Sequence, residues 1–300
     1  MNLLVTGAWS GAKDHIQRLL SLGHNTVFLQ NENDELPCEY SWVEGVICNS
    51  LFLSHNIELF SNLRYIQLTS AGYDRIPVDY IKAKGLRIHN ARGVYDIPIA
   101  EMALTGVLCL YKRVEAFFEN KSKHLWEKYR YLPEIYGKNV VVIGCGSIGT
   151  ECAKRFKSLS SYVIGVDIIK IENSVYDAVY TLENIEQALG SADVIIVTLP
   201  LTEQTKWFFD SRRFNCMKPG AVFVNVSRGS VVKTDDLMCA LKSRLGGAVL
   251  DVFETEPLPE DSPLWNMDNV FITPHNSFSG EGNEKRLSDL IFSNLGKEIS

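Results

Sequence analysis

Four polar residues in the last third of the chain each follow a stretch that reads as a β-strand. "VNVSRGSVV" places Arg228 after one such stretch, and "AVLDVFETEP" places Asp251 at the end of the next, with Glu256 five residues later. "VFITPHNS" places His275 after the last of the three. Because ligands of open parallel sheets bind beyond the carboxyl ends of the strands, we expect these side chains to face one cleft.

These residue types together can carry out a hydride-linked carbonyl reaction. A planar guanidinium can bind a substrate carboxylate and polarise the neighbouring carbonyl. An imidazole can donate a proton to the carbonyl oxygen as a hydride reaches the carbon, and can remove that proton in the reverse direction. A carboxylate on the far ring nitrogen holds the tautomer and stabilises the charged imidazole. The set therefore suits reduction of a 2-keto acid and oxidation of a 2-hydroxy acid.

Each of these residues taken singly also has an ordinary explanation. Arg228 can be a surface loop residue, Glu256 a solvated loop acid, and His275 a turn histidine beside Pro274. Their joint occurrence beside a nucleotide-binding pattern favours the catalytic interpretation.

The nucleotide-binding pattern is "VVVIGCGSIGTECAKRF", residues 140–156. Its β-branched start predicts a buried parallel strand. Gly144, Gly146 and Gly149 then follow in the spacing that permits a tight turn, close approach to a pyrophosphate, and close helix packing. The next strand, "YVIGVD", ends in Asp167, whose carboxylate can bind an adenosine ribose and repels a 2′-phosphate. We expect a dinucleotide site that prefers NAD to NADP; the alternative is an ordinary βαβ unit with a glycine turn.

Two sets of alternating strands and helices must position these residues. From residue 138 onward six candidate strands predict a Rossmann-type sheet: "NVVVIG", "YVIGVD", "VIIVTL", "AVFVNV", "GAVLDV" and "VFIT". Residues 1–90 predict a smaller doubly wound domain with the strands "NLLVTG", "NTVFLQ", "EGVICN", "LRYIQLT" and "LRIHN" and with helices near 12–22, 56–61 and 78–84.

Between these sets, residues 97–120 read as one long helix that Asp96 is placed to cap, with Pro98 in its first turn. A segment rich in aromatic residues follows: Phe117, Phe118, Trp126, Tyr129, Tyr131 and Tyr136. These rings either pack on their own domain or meet a second subunit, where aromatic anchors are favoured. The last eighteen residues predict an amphipathic helix with Leu287, Leu290, Ile291 and Leu295 on one side.

The composition limits the classes of function. The chain of 300 residues is 46% hydrophobic and 22% charged, which is typical of a globular protein with room for two domains. A net charge of −6 argues against a nucleic-acid partner, and no apolar run approaches the ~20 residues of a membrane span. Seven cysteines without C-x-x-C or Cys/His pairing favour a reduced compartment over disulfides or zinc. The same lack of Cys/His pairing predicts that the protein holds no metal. Because the start shows no signal-peptide pattern, we expect a cytoplasmic protein.

Over nearly its whole length the chain resembles the D-isomer-specific 2-hydroxyacid dehydrogenase family. The motifs occur in family order: "SAGYDRI", "VVIGCGSIG", "LPLTEQT", "MKPGAVFVNVSRGSVV", "VLDVFETEPLP" and "SPLWNMDNVFITPHNS". The resemblance implies an NAD-dependent enzyme that interconverts a 2-keto acid and a D-2-hydroxy acid, and it favours a homodimer. Some relatives use this fold as NAD(H)-responsive binding proteins, and that alternative stays open.

The resemblance also implies roles for particular residues. Arg228, Glu256 and His275 would form the catalytic set, and Arg228 and His275 would touch the substrate. Backbone N–H groups around Ala71 and Gly72 would bind the substrate carboxylate. Asp251 would meet the nicotinamide carboxamide. The rest of the cofactor would lie against Gly144, Gly146, Ser147, Ile148, Gly149, Asp167, Leu199, Pro200 and Thr205.

In this family the cofactor domain is inserted into a flavodoxin-like substrate domain. The insertion accounts for a glycine loop that is preceded by almost half of the chain. It implies a substrate domain over residues 1–95, an NAD-binding Rossmann domain over 96–278, and a C-terminal helix over 279–300 that returns to the substrate domain.

Overall fold

The structure, a computed structural model, describes residues 1–299 as two compact units. One unit consists of Met1–Tyr95 together with the segment that begins at Gly280, and the other is Asp96–Ser279. Each unit contains one parallel sheet with helices between its strands, so the predicted α/β class is confirmed. None of the helices in residues 1–299 is long and apolar enough to cross a bilayer. The assignment of substrate to one unit and cofactor to the other stays a prediction.

The smaller unit has a five-stranded sheet in the order β2-β1-β3-β4-β5, which is the flavodoxin-like order. Its strands are β1 (Asn2–Thr6), β2 (Asn25–Leu29), β3 (Gly45–Cys48), β4 (Tyr65–Leu68) and β5 (Arg87–His89). Its helices are α1 (Ala12–Ser21), α2 (Leu51–Ser54), α3 (Val78–Ala83) and the C-terminal helix (Asn283–Ile299). The helix expected near 56–61 is only a short 3₁₀ turn, Ile57–Leu59.

The C-terminal helix packs on the core of the smaller unit. Leu287, Ile291 and Leu295 are buried in one cluster with residues of β1, while Leu290 is only partly buried. Each fully buried leucine or isoleucine stabilises the folded state by roughly 1.5–3 kcal/mol. The apolar side predicted from the sequence is thus the side that holds this helix in place.

The larger unit has a seven-stranded parallel sheet in the order β12-β11-β10-β9-β6-β7-β8, a Rossmann order extended by one strand. Its strands are β6 (Asn139–Ile143), β7 (Tyr162–Asp167), β8 (Ala178–Thr181), β9 (Val194–Val197), β10 (Val222–Asn225), β11 (Gly247–Leu250) and β12 (Val270–Ile272). Its helices are α4 (Asp96–Lys112), α5 (Val114–Ser122), α6 (Ser147–Ser158), α7 (Ile185–Ser191), α8 (Ser211–Cys216) and α9 (Thr234–Ser243). The sequence did not predict β8, an edge strand whose four residues are only partly buried.

The prediction of one long helix over residues 97–120 is wrong. The helix ends at Lys112 and a second helix begins at Val114, because Arg113 takes a left-handed conformation with a φ of 51°. The turn places the Arg113 guanidinium over the ring of Tyr129, at 4.7 Å from the ring centre. Periodicity along the helix cannot show such a contact.

The prediction that Asp96 caps this helix is also wrong. Asp96 is itself the first helical residue, so it does not precede the helix as a cap.

Asp193, just before β9, provides a test of how one carboxylate stabilises the larger unit. Partial burial alone would raise the pKa of Asp193, but hydrogen bonds from Lys218 Nζ (2.7 Å) and the Asn139 N–H (3.0 Å) hold it below the ordinary value of 3.8. A depressed pKa in the folded state stabilises the protein above the unfolded-state pKa, and this contribution is lost as the pH falls through the folded-state value.

Asp193→Asn is therefore expected to lower the free energy of unfolding by about 1–2 kcal/mol at neutral pH and by less as the pH falls below about 4. Denaturant titrations over a series of pH values measure this difference. Asp289→Asn, at a fully exposed ion pair with Lys285, is the control and should change little. A loss of equal size at every pH would contradict the electrostatic explanation.

Candidate active site

The loops that carry the predicted catalytic residues leave three adjacent strands. β10 ends at Asn225, three residues before Arg228, and β11 ends immediately before Asp251. β12 ends three residues before His275. Because β10 pairs with β11 and β11 with β12, all in parallel, these loops emerge at the same edge of the sheet. This edge is where ligands of open α/β sheets bind.

His275 and Glu256 form a direct pair at this edge. The His275 Nδ1 atom lies 2.7 Å from Glu256 Oε2, and both side chains are about one third exposed, at 35% and 36%. The other carboxylate oxygen accepts a 2.9 Å hydrogen bond from the Phe253 N–H, which fixes the direction of the carboxylate. An acceptor at Nδ1 places a proton on that nitrogen, so Nε2 is the ring atom available to exchange protons with a substrate.

The buried carboxylate of Asp251 organises the loop around His275. It is 1% exposed and accepts four hydrogen bonds from that loop. The donors are Thr273 Oγ1 (2.6 Å), the N–H groups of Asn276 (2.8 Å) and Ser277 (3.0 Å), and the Ser277 hydroxyl. The backbone carbonyl of Asp251 accepts a fifth, from the His275 N–H, at 2.8 Å.

This set of bonds holds His275 in an unusual backbone conformation. Its φ is 49°, in the left-handed region that non-glycine residues seldom occupy and that persists only where the surroundings enforce it. Sequence reasoning missed Thr273 and Ser277 as supporting residues. The signal was present, since both hydroxyl residues flank the histidine symmetrically in "TPHNS". The predicted contact of Asp251 with a nicotinamide stays a prediction.

Arg228 lies on a loop that packs directly against the loop of Glu256. One guanidinium N–H of Arg228 donates a 2.8 Å hydrogen bond to the Ser227 carbonyl. A Cβ atom placed on the next residue, Gly229, would lie 1.8 Å from the carbonyl carbon of Phe253. Only glycine allows two backbones to approach so closely. Gly229, which sequence reasoning did not single out, thus brings the two loops together.

The predicted glycine loop has the geometry that a pyrophosphate requires. Gly144 has a φ of +93°, and a Cβ on Gly149 would lie 2.1 Å from the Gly144 carbonyl oxygen, so neither position tolerates a side chain. A Cβ on Gly146 would meet nothing within 4 Å, which leaves open space on that side of the loop. The first turn of α6, starting with Ser147 and Ile148, has no side-chain cap, and its N–H groups have no partners inside the helix. These residues fit a dinucleotide.

Asp167 is attached to the glycine loop as the ribose-binding hypothesis needs. One carboxylate oxygen accepts a 2.7 Å hydrogen bond from the Cys145 N–H, and the other accepts one of 2.7 Å from the Ile168 N–H. Each carboxylate oxygen can accept a further hydrogen bond. The acid at the end of β7 is therefore held beside the loop with acceptor capacity remaining.

Three further residues predicted to contact the cofactor, Leu199, Pro200 and Thr205, follow β9. The Thr205 hydroxyl donates to the Pro200 carbonyl at 2.6 Å and accepts from the Thr202 N–H at 2.7 Å. This hydroxyl therefore closes the turn that begins with Leu199 and Pro200. Its contact with a nucleotide stays a prediction.

Ala71 and Gly72 belong to the smaller unit, in the turn that follows β4. No cluster of His, Cys, Asp or Glu suited to a metal ion occurs in the part of the chain that the structure describes.

The chain is similar to known proteins of one family. The family model for the D-isomer specific 2-hydroxyacid dehydrogenase, NAD binding domain, matches residues 104–277. A glyoxylate reductase of Korarchaeum cryptofilum is 32% identical over 244 residues, which cover 79% of this chain and 74% of the relative. A glyoxylate reductase of Thermococcus gammatolerans is 30% identical over 288 residues, covering 91% and 86%.

A solved structure extends the similarity to the whole fold. The crystal structure of a D-isomer specific 2-hydroxyacid dehydrogenase family protein from Aeromonas salmonicida superposes with a TM-score of 0.83. It is 30% identical in sequence and covers 99% of this chain and 96% of its own. The chain therefore belongs to the D-isomer specific 2-hydroxyacid dehydrogenase family and is an NAD-dependent oxidoreductase of 2-hydroxy acids, as the sequence predicted.

Proposed function

We propose that this enzyme reduces a small 2-keto acid, in the size range of glyoxylate, with NADH, and catalyses the reverse oxidation of the D-2-hydroxy acid. In this proposal Arg228 binds the carboxylate and polarises the carbonyl, His275 is the acid and base, and Glu256 orients His275. The observation that carries it is the 2.7 Å contact between His275 Nδ1 and Glu256 Oε2 on loops from adjacent strands. The names of the two relatives, both glyoxylate reductases, support a small substrate.

Each residue of the proposed set has a distinct task. When bound, the nicotinamide exchanges a hydride with the substrate carbon. The Arg228 guanidinium stabilises negative charge as it develops on the carbonyl oxygen. His275 Nε2 donates a proton to that oxygen during reduction and removes it during oxidation. Glu256 stabilises the protonated ring before the transfer and keeps Nδ1 protonated after it.

A panel of 2-keto acids tests this function. We expect NADH absorbance to fall fastest with glyoxylate and more slowly with pyruvate and 2-ketoisocaproate. Of the two enantiomers of lactate, only the D form should reduce NAD. Failure to consume NADH with any keto acid would argue against the proposal and favour the alternative of an NAD(H)-responsive binding protein.

Selection of NAD over NADP is expected to depend on Asp167. Replacing Asp167 by alanine removes the ribose acceptor and the charge that repels a 2′-phosphate. The KM for NADH should rise and the KM for NADPH should fall. The ratio of the KM for NADPH to the KM for NADH should therefore decrease by about tenfold or more. Steady-state kinetics with both cofactors measure the change. Equal use of the two cofactors by the parent enzyme would refute the assignment.

We propose a homodimer that buries residues 97–136, a stretch that includes the aromatic arm, residues 117–136. Two of its six rings, Phe117 and Tyr129, pack on each other at 5.3 Å. The other four are exposed to 65–96% of their area: Phe118, Trp126, Tyr131 and Tyr136. Large apolar groups exposed together are typical of protein interfaces, and aromatic anchors are enriched there.

Sedimentation velocity at micromolar concentration tests the dimer. The parent should sediment as a dimer, and the double variant Trp126→Ser, Tyr131→Ser should shift toward the monomer. Tyr162→Ser, which removes a half-exposed ring outside the arm, is the control and should leave the dimer intact. A monomeric parent across this range would contradict the proposal.

A cytoplasmic location belongs to the same proposal. All seven cysteines are free thiols, and three of them are buried. Free thiols in this number are typical of proteins from reducing compartments. Cell fractionation with an antibody to the chain would check the location.

A further inference from the structure

The turn that follows β4 has all of its carbonyl groups held by hydrogen bonds. The carbonyl oxygens of four successive residues, Thr69–Gly72, each accept one bond from a different donor. In order, the donors are the Tyr95 hydroxyl (2.5 Å), the Ala91 N–H (2.8 Å), Asn90 Nδ2 (2.7 Å) and the Ser70 hydroxyl (3.2 Å). The backbone of this turn is thus anchored on its carbonyl side.

Anchoring the carbonyl groups also sets the direction of the amide groups. In a planar trans peptide the N–H points opposite to the C=O. The three peptide groups whose carbonyls belong to Ser70, Ala71 and Gly72 therefore direct the N–H groups of Ala71, Gly72 and Tyr73 away from the donors. Among residues 1–299, none of these three N–H groups donates to another protein group. Successive unpaired N–H groups in a turn can form an anion-binding concavity.

Asn90 is the side chain from outside the turn that holds its central peptide. Its Nδ2 donates to the Ala71 carbonyl, which belongs to the same peptide group as the Gly72 N–H. Its Oδ1 accepts from the Arg92 N–H at 3.3 Å, so both ends of the side-chain amide have a partner and its orientation is set. A hydrogen bond to the carbonyl also polarises the peptide and strengthens its N–H as a donor.

We propose that Asn90 is a positioning residue for the substrate carboxylate. By holding the Ala71–Gly72 peptide, it aims the Gly72 N–H at the carboxylate of the 2-keto acid. This inference rests on the proposed function and on the contact that the family resemblance implies, in which N–H groups around Ala71 and Gly72 bind that carboxylate together with Arg228. Asn90 lies in the loop after β5, outside the "SAGYDRI" motif, so the motif alone does not indicate that this side chain positions the substrate.

Two substitutions separate positioning from simple loop support. Asn90→Ala removes both hydrogen bonds of the side chain. Asn90→Asp keeps the size and the acceptor for the Arg92 N–H, but it cannot donate to the Ala71 carbonyl when ionised and repels the substrate carboxylate. We expect both variants to raise the KM for the keto acid by about tenfold or more and to change kcat by less than about threefold, with the KM for NADH unchanged.

A matched control removes an equivalent bond elsewhere in the same unit. The Asn62 Nδ2 atom donates to the Ser41 carbonyl at 2.6 Å on an exposed surface. Asn62→Ala should leave the KM for the keto acid at the parent value. Thermal melts of all variants identify any loss of fold, and the nearly isosteric Asn90→Asp carries the test if Asn90→Ala does not fold.

Calorimetric titration of oxamate into the enzyme with NADH bound separates this inference from the proposed function. Oxamate presents a carboxylate next to a carbonyl but is not reduced. Weaker oxamate binding in both Asn90 variants supports the inference even if the parent reduces no keto acid. If the parent reduces keto acids while both variants keep its KM and oxamate affinity, the inference is wrong and the function stands. A parent that neither binds oxamate nor reduces a keto acid overturns both.

Discussion

Replacing His275 by alanine is expected to lower kcat for keto-acid reduction by about 10²–10⁴-fold, because the carbonyl oxygen then lacks a proton donor. Glu256→Gln should reduce the rate less, since glutamine keeps the shape of the carboxylate that contacts Nδ1 at 2.7 Å and loses only its charge. Comparison of the two variants at saturating NADH therefore separates loss of the proton donor from loss of its partner.

The direction of the reaction distinguishes the roles of the two residues further. Reduction takes a proton from the ring, whereas oxidation of the hydroxy acid gives a proton to it. The Glu256 carboxylate attracts the charged ring through a charge-assisted hydrogen bond that glutamine cannot provide. In Glu256→Gln, kcat for reduction should therefore fall by more than kcat for oxidation.

The measurement is kcat for reduction and for oxidation in the parent, in Glu256→Gln and in a control. Glu260→Gln removes an exposed acid four residues further along the same loop and should leave both rates unchanged. Equal losses in the two directions in Glu256→Gln would show that Glu256 does not act on the proton donor.

The second large effect is expected for Asp251→Ala. This change leaves four donors without their acceptor, two of them in buried bonds and two in part-buried bonds, and two of the four are N–H groups of the backbone. Each such donor costs roughly 1–3 kcal/mol, and relaxation of the loop recovers part of the loss. We expect the free energy of unfolding to fall by about 3–5 kcal/mol, the sum of these costs after the loop has relaxed.

Activity should fall together with stability, because the same bonds hold His275 at a φ of 49°. Asp251→Asn should lower the free energy of unfolding by much less than Asp251→Ala does. Three of the four donors meet Oδ1, which stays a carbonyl oxygen, while the new amide nitrogen can face the Ser277 hydroxyl, which can accept a bond as well as donate one. A loss of stability as large as that of Asp251→Ala would contradict this account of the loop.

Urea titrations and kcat for reduction measure both effects. Asp268→Ala, at an exposed acid before β12, is the control and should resemble the parent. The KM for NADH of Asp251→Asn also bears on the predicted contact between Asp251 and the nicotinamide. If Asp251→Ala unfolds within about 1 kcal/mol of the parent, the buried carboxylate does not organise the loop.

The sequence by itself determined the order of all strands except β8 and the residue types at the site. β-branched runs such as Val140–Ile143 predict buried strands because burial on both faces of a parallel sheet favours apolar, branched side chains throughout. The glycine spacing from Gly144 to Gly149 and the acid at Asp167 follow from local backbone and phosphate chemistry. These signals lie within a few residues of one another, so they could be identified without a structure.

Only the tertiary structure decided how the predicted residues are held. The left-handed backbone of His275 depends on Asp251, which lies more than twenty residues earlier, and the direction of the Gly72 N–H depends on Asn90. The break at Arg113 likewise accompanies a contact with Tyr129. Such hydrogen bonds and ring contacts join segments that meet only after the sheets have formed. Local composition therefore carries little trace of them, although they set the geometry of the site.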